Sequence, residues 1–508
     1  MRTERPRTRE VVAFLSTAWA LGCLGDRPPE PVRFEPYQPE LFADGGALTD
    51  AWADFDGDGD PDRFVGFDGS TSRLYRNDLL DGFTNVAAET GLDVTRSVRT
   101  SAWGDFDGDG DPDLLLGFAG PAPVTALYRN DRGGGFVEIS GEVGLRVAEG
   151  ATRQASWIDF DEDGDLDLFL AMRDRANLLF ENRGADGFVE IGASLGIADG
   201  RRSVGAVWFD VGDGRLDLLV ANMNGDANAL LLQTEAGFRE SDDEAVRAGG
   251  RGLGDDAQGS VRPCVVDFDS DGDFDLFFAN YGPNGLLERS APAGFTNVAE
   301  GRGLANDSRY DTCVWGDFDH DGTIDLYVNG TVGGETHYRD WLMRREGGGD
   351  FLDVTPPELL RLNASHGATW VDFDLDGDLD LALAGAAPDG MHLLMQNLLR
   401  PELSWHSLQI RVLDARGLAT RAGTEVRLFA PGTRQLLGSR LVDTGSGYDA
   451  QSDLPVHFGV RGGRPVDVEV TILADGMRRS LLVEDVDPED YRGGALTLRI
   501  ADDGSLVP

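Results

Sequence analysis

An acidic nine-residue loop recurs seven times along this chain, first as Asp54-Phe55-Asp56-Gly57-Asp58-Gly59-Asp60-Pro61-Asp62. The copies begin at Asp54, Asp105, Asp159, Asp210, Asp267, Asp317 and Asp372, at spacings of 51, 54, 51, 57, 50 and 55 residues. A period of this size marks a unit that cannot bury its apolar face alone and must stack on its neighbours. Between loops the same phrases return: Leu74-Tyr75-Arg76-Asn77 then Gly82-Phe83-Thr84-Asn85-Val86, and Leu127-Tyr128-Arg129-Asn130 then Gly135-Phe136-Val137-Glu138-Ile139. Each repeat therefore reads as four short antiparallel strands. A small-residue strand enters the loop, a Leu/Phe-rich strand leaves it, and strands carrying Leu-Tyr-Arg and Phe-x-x-Val follow. The expected fold class is all-β, a seven-bladed β-propeller over 34–400 followed by a small β-sandwich over 401–508.

The seventh repeat lacks a Phe-x-x-Val strand, whereas Phe34-Glu35-Pro36-Tyr37 stands ahead of the first loop with no partner. It is expected to supply the outer strand of blade seven and so close the ring. A leader without structure is the alternative, because Pro28, Pro29, Pro31 and Pro36 oppose a long strand. Since hairpins alternate direction, the acidic loops share one rim. The connections after second and fourth strands share the other, which carries the longer, aromatic inserts at Tyr281-Gly282-Pro283-Asn284 and 334–341. Variable loops on a rigid scaffold are where recognition commonly sits.

The loop spacing D-x-D-x-D-G-x-x-D suits a hard divalent cation. Alternate carboxylates and a fourth beyond the Gly converge because Gly permits the sharp turn, and position seven adds a backbone carbonyl. The expected calcium sites, about six, comprise Asp54, Asp56, Asp58, Asp60 and Asp62; Asp105, Asp107, Asp109, Asp111 and Asp113; and Asp159, Asp161, Asp163, Asp165 and Asp167. The later ones comprise Asp267, Asp269, Asp271, Asp273 and Asp275; Asp317, Asp319, Asp321, Thr323 and Asp325; and Asp372, Asp374, Asp376, Asp378 and Asp380. The fourth copy, Phe209-Asp210-Val211-Gly212-Asp213-Gly214 before Asp217, is one residue short, so metal binding there should be weak or absent. An EF-hand is excluded: the twelfth position, which needs a bidentate Glu, is Val65 in the first loop and Leu116 in the second.

Charge narrows the function classes. The net charge is −45, and 33 of the 90 acidic residues lie in the seven loops. Six calcium ions would still leave −33, which repels nucleic acid and anionic membranes. All 45 basic residues are Arg, so Schiff-base and P-loop chemistry, which need a Lys amine, are excluded. The N-terminus reads as an export signal. Arg2, Arg5, Arg7 and Arg9 precede an apolar run from Val11 to Gly22 that is too short to span a bilayer. Ala20-Leu21-Gly22-Cys23 resembles a lipobox, which implies a lipid anchor on Cys23; plain secretion and an uncleaved anchor are the alternatives. Residues 24–33 read as a linker. The other cysteines, Cys264 and Cys313, lie three and four residues ahead of their loops, so their side chains are expected on opposite sides of their strands. Two buried thiols are expected rather than a disulfide.

After Arg400-Pro401 the Asp loops give way to alternating strands, at 407–413, 424–430, 437–443, 456–460, 466–473, 480–484 and 495–500. There Gly445-Ser446-Gly447-Tyr448 is followed by His457-Phe458-Gly459. After a train of FG-GAP/VCBS-type repeats, this resembles the ASPIC/UnbV domain of the cartilage acidic protein family. The chain departs from that pattern at Leu473-Ala474-Asp475-Gly476, where Trp-Pro-x-Gly is usual, and at Ala422-Gly423-Thr424, which replaces a Gly-Ala pair. No Cys-rich tail follows, as expected of a bacterial member. The resemblance implies secretion, calcium binding and adhesion, and no settled reaction.

The six His residues, His320, His337, His366, His392, His406 and His457, form no zinc or Ser-His-Asp pattern. No catalytic residue is expected. The expected function is an exported calcium-binding module for an extracellular protein or glycan, with no nucleic-acid partner and membrane contact only through the anchor. An enzyme or accessory protein of a biosynthetic pathway is the alternative.

Overall fold

Each acidic loop joins an inner strand to a second strand, and the inner strands are built from small residues because seven of them converge on one axis. In the computed structural model, which describes residues 31–132, 135–290, 294–333, 335–362, 365–385 and 390–507, these inner strands are Ala47–Ala53, Val98–Gly104, Thr152–Ile158, Ser203–Phe209, Gly259–Val266, Asp307–Gly316 and Ser365–Val371. Each begins an antiparallel run of four strands; four of these runs are separate four-stranded sheets, the second gains a fifth, parallel strand, and the fifth and sixth join in one eight-stranded sheet. The first blade continues through Asp62–Phe67, Arg73–Asn77 and Phe83–Asn85 in simple meander order. Blades five and six also share pairing at their far ends, Tyr281 opposite Arg309. The export signal and Cys23 lie outside the described residues.

The seventh sheet is completed by Phe34–Tyr37, which pairs antiparallel with Leu394–Asn397. One sheet thus holds both ends of the ring. A buried ion pair strengthens this joint: Arg63 on blade one bonds Asp50 and also donates to the carbonyls of Leu383 and His392 on blade seven, both at 2.9 Å. Both partners of that pair are fully buried, so removing one would leave an uncompensated charge.

Successive blades stack face to face through separate apolar clusters. Ala51, Phe64 and Leu74 of blade one meet Trp103, Leu114 and Leu116 of blade two, and Trp52 and Val65 meet Val371 and Ala382 of blade seven. Trp52, Trp103, Trp157 and Trp208 stand two residues before their loops and are among the largest fully buried side chains. Each packs near the outer-strand Phe or Phe-like partner of its own blade, as with Trp103 and Phe136 at 5.9 Å between ring centroids. Truncating one would cost about 3–5 kcal/mol.

This stacking corrects the expectation for the cysteines: Cys264 and Cys313 form a disulfide, with Cα atoms 6.5 Å apart. They lie on neighbouring blades, and the far face of one blade meets the near face of the next. The opposite parity that would separate two residues on one sheet is what brings two residues on stacked sheets together.

The C-terminal segment is a sandwich of two four-stranded sheets. One holds Ser407–Asp414, Val456–Gly459, Leu496–Ile500 and Leu506–Val507; the other holds Glu425–Phe429, Leu436–Leu441, Val466–Ala474 and Met477–Val486. Alternate residues Leu408, Ile410 and Val412 point into a core with Val466, Val468, Val470 and Ile472. Residues 32–508 form one compact unit that contains both domains.

Candidate metal rim and plugged channel

The loops share one local architecture. In the first, Asp54 Oδ1 accepts the amides of Gly57 and Asp58 at 2.8 and 3.1 Å, and its Oδ2 accepts that of Gly59 at 3.0 Å. The chain is thereby wrapped around the first carboxylate. Position four takes a left-handed conformation in all six full-length loops, with φ from 54° to 76° at Gly57, Gly108, Glu162, Ser270, His320 and Leu375. Four of these are not Gly, so the loop geometry is held against an intrinsic preference.

Three side-chain oxygens converge in Asp54, Asp56 and Asp58; in Asp105, Asp107 and Asp113; in Asp159, Asp161 and Asp167; and in Asp267, Asp269 and Asp271. The ninth position has a second role that sequence reasoning missed. Asp62 Oδ1 accepts the amide of Asn77 at 2.8 Å and its Oδ2 that of Phe55 at 3.0 Å, and Asp113 does the same with Asn130 and Phe106. The Asn then reaches back one blade: Asn77 donates to Phe373 O, Asn130 to Phe55 O, Asn182 to Phe106 O and Asn397 to Phe318 O, at 2.7 to 2.9 Å. The recurring Asn after Leu-Tyr-Arg was the available signal. Position seven divides: Asp378 is buried with neither oxygen hydrogen-bonded, whereas Asp111 pairs with Arg132.

Electrostatically the loops are incomplete on their own. Among the described residues, Asp56 Oδ1, Asp159 Oδ1, Asp267 Oδ1, Asp319 Oδ1, Asp325 Oδ2, Asp372 Oδ1 and Asp380 Oδ2 are buried without a hydrogen-bond partner. Burial, reinforced by neighbouring carboxylates, pushes Asp62, Asp113 and Asp167 up to about 9, and Asp317, Asp325, Asp372 and Asp380 well above the usual range. Orphaned oxygens from hard ligands in one small volume fit a hard divalent cation of the calcium type.

The fourth loop departs from this pattern. Asp210, Asp213 and Asp217 still converge, but Arg478 of the sandwich places Nη1 2.7 Å from Asp210 Oδ2 and bonds Glu425 with its other nitrogen. A guanidinium here supplies the positive charge.

Arg478 is one of many contacts by which the sandwich sits on the acidic rim. Ser439 Oγ donates to Asp267 Oδ2 at 2.8 Å, Gln409 to Asp372 Oδ2 at 2.6 Å, Arg427 to Gly272 O at 2.6 Å, and His457 Nε2 lies 2.9 Å from Gly377 O. Gly459, the last residue of His-Phe-Gly, approaches loop six so closely that a Cβ would lie 2.0 Å from Asp317 Oδ2. Only Gly fits there. A cavity of about 410 Å³, lined in part by Cys264, Cys313, Trp370 and Leu441, separates the domains on one side.

The Gly-Ser-Gly-Tyr segment enters the central channel. Inner strands present an unpaired edge to the axis, and this segment pairs with it. Thr444 Oγ1 bonds both backbone groups of Trp208, the Gln451 side chain bonds both of Trp157, and Ser452 Oγ and Asp453 N take those of Trp52. Ala450–Gln451 runs parallel to Ser101–Ala102. At the tip, Tyr448 reaches the far end of the channel and packs on Val204 and Val261.

A profile of the FG-GAP-like repeat matches residues 54–116, 159–220 and 267–328. Mouse cartilage acidic protein 1 is 25% identical over 453 residues, which is 86% of this chain and 63% of the mouse protein. The chain carries FG-GAP-like repeats and is similar to cartilage acidic protein 1. The human protein of that name is 24% identical over 471 residues, 84% of this chain and 68% of its own length. The chain spans 63% and 68% of the lengths of these two proteins. Among solved structures it is similar to an Agrocybe aegerita lectin that recognises non-reducing terminal N-acetylglucosamine, at 15% identity, 69% and 94% coverage of the two chains and a TM-score of 0.42. It is also similar to Bacillus licheniformis rhamnogalacturonan lyase, at 12% identity, 73% and 76% coverage and a TM-score of 0.39.

Proposed function

We propose that this protein is an exported calcium-binding propeller that acts as a binding or adhesion module for an extracellular protein or glycan. The observation that carries the reading is the set of buried carboxylate oxygens left without partners in the loops. Calcium in the six full-length loops would neutralise them and fix the rim on which the sandwich rests. The disulfide supports an oxidising, extracytoplasmic compartment, where calcium is available at about 0.1–1 mM, the range of weak extracellular sites. Because the sandwich covers much of the metal rim, the opposite face is the one left for a partner.

Isothermal titration of calcium into the chelator-stripped mature chain tests this reading, with a melting curve alongside. About six equivalents and a clear rise in Tm are expected. No binding at millimolar calcium would reduce the loops to acidic turns. A protein and glycan array probed with and without calcium then identifies the partner.

A further inference from the structure

Every inner strand breaks its pairing register at the same place near the far end of the channel, between Val98 and Thr100 in blade two, Thr152 and Ala155 in blade three, Tyr310 and Thr312 in blade six, and Ser365 and Gly367 in blade seven. A bulge re-aims the side chain it carries. The bulged residues here include Arg99, Arg153, Asp311 and His366, and they gather around Tyr448. The His366 and Tyr448 ring centroids are 3.9 Å apart, and Arg153 Nη1 lies 3.5 Å from the Tyr448 hydroxyl. Arg99 and Asp449 lie within electrostatic range of the same group, as does Arg173 at the end of blade three's second strand.

The cluster is not satisfied internally. Arg99 Nε, Arg153 Nε and Asp449 Oδ2 are buried without a hydrogen-bond partner. His366 Nδ1 stands 2.7 Å from Asp311 Oδ2 but off the hydrogen-bond direction, and His366 Nε2 has no partner. Arg99, Arg153 and Arg173 make no ion pair among the described residues, and Arg173 bonds only the carbonyl of Arg202 and the amide oxygen of Asn224. Three guanidinium groups from two adjacent blades thus lie within electrostatic range of Tyr448 without an ion pair, and the buried carboxylates of Asp449 and Asp311 act on Arg153 only from a distance. Orphaned buried polar groups at this density call for an explanation, and a bound polar ligand is one.

We propose that the far mouth of the channel is a composite binding site, formed by blades two and three with Tyr448 of the second domain, for a small oxyanion-bearing ligand held by Arg99, Arg153 and Arg173. Guanidinium groups match carboxylate and sulfate geometry in a way an ammonium does not. The Asp311–His366 side of the mouth offers acceptors to a hydroxyl on the same ligand. The site deepens the binding-module reading and rests on it, since the second domain must be seated for Tyr448 to reach the mouth.

The test is titration of the calcium-loaded full chain with glucuronate and, separately, with inorganic sulfate. One saturable equivalent is expected for glucuronate, weakened at least about tenfold in Arg153→Gln, the loss expected for one charge-assisted hydrogen bond. Arg173→Gln, at a half-buried position, gives the same direction should Arg153→Gln fail to fold. Arg434→Gln, an exposed ion-pair residue of the sandwich, should leave binding unchanged. Sulfate binding that competes with glucuronate supports the oxyanion as the recognised group. Absence of saturable binding by both probes overturns the proposal, as does binding that Arg173→Gln and Arg434→Gln leave equally intact. Calcium stoichiometry and Tm, recorded on the same samples, separate that failure from failure of the calcium-binding reading.

Discussion

The seventh and fourth acidic loops face the same problem and meet it differently. In the seventh, Asp372, Asp374, Asp376, Asp378 and Asp380 crowd together with four oxygens of Asp372, Asp378 and Asp380 buried and unpaired, and Gln409 is the sandwich residue that touches them. The fourth is one residue shorter and has three carboxylates, one of which is paired with Arg478. In the fourth loop a guanidinium of the neighbouring domain stands beside the converging carboxylates, where the proposed reading puts a metal ion in the full-length loops. Where the loop cannot build a full coordination set, the neighbouring domain contributes a side chain. This also accounts for the docking of the sandwich on that rim, because its Arg, Ser and Gln donors face a ring of acceptors.

Removing calcium should have the largest effect, because it acts on the full-length loops together and spares the fourth. Each site held at a hundredfold excess over Kd contributes about 2.7 kcal/mol. Chelation should therefore lower Tm by about 10 °C or more at this chain length, as calorimetry would show. Gly459→Ala attacks loop six alone, since its Cβ meets Asp317 Oδ2. A cost of about 1–3 kcal/mol is expected from overpacking, with loss of one calcium equivalent in titration.

A second variant, His392→Gln, separates the acidic rim from the joint of blades one and seven. His392 there donates through Nδ1 to Asp44 O at 2.8 Å, and its Nε2 lies 2.7 Å from the Tyr75 hydroxyl. Burial, then the Arg63 charge, pushes the imidazole down to about 3. Because the folded value lies below the ordinary one of 6.5, this contribution is fully present above pH 6.5 and is lost as pH falls toward 3. Wild type should lose about 2 kcal/mol by pH 5 that His392→Gln does not, read as the difference between their urea midpoints.

Arg478→Gln tests the fourth loop directly. Its side chain is 32% exposed, so the cost is about 1–2 kcal/mol rather than that of a fully buried pair. Calcium stoichiometry should stay at the wild-type value, and a rise by one equivalent would show that the guanidinium merely blocks a competent metal site. The smallest effect is expected from Asp213→Asn, which should change neither stoichiometry nor Tm measurably, while Asp374→Asn should remove one equivalent.

Much of this was legible because the repeat is local. Seven loops at near-constant spacing, four strand phrases between them and an unmatched Phe34–Tyr37 strand fix the ring and its closure without reference to distant contacts. The C-terminal strands follow from period-two alternation, as at Leu408, Ile410 and Val412. Other features were hidden because they exist only between units. The disulfide depended on face-to-face stacking of blades, which reverses the parity argument for Cys264 and Cys313. The role of Asn77, Asn130 and Asn182 depended on which carbonyl of the preceding blade lay within reach.

The sequence by itself determined the all-β repeat, the acidic loops and the break after Arg400, because strand alternation and turn chemistry act within a few residues. Only the tertiary structure decided where the second domain goes: onto the acidic rim, with Arg478 at Asp210, Gly459 against Asp317 and Tyr448 at the far end of the channel. Unpaired strand edges and unneutralised carboxylates set that arrangement, and they become neighbours of the Gly-Ser-Gly-Tyr segment only after the ring has closed.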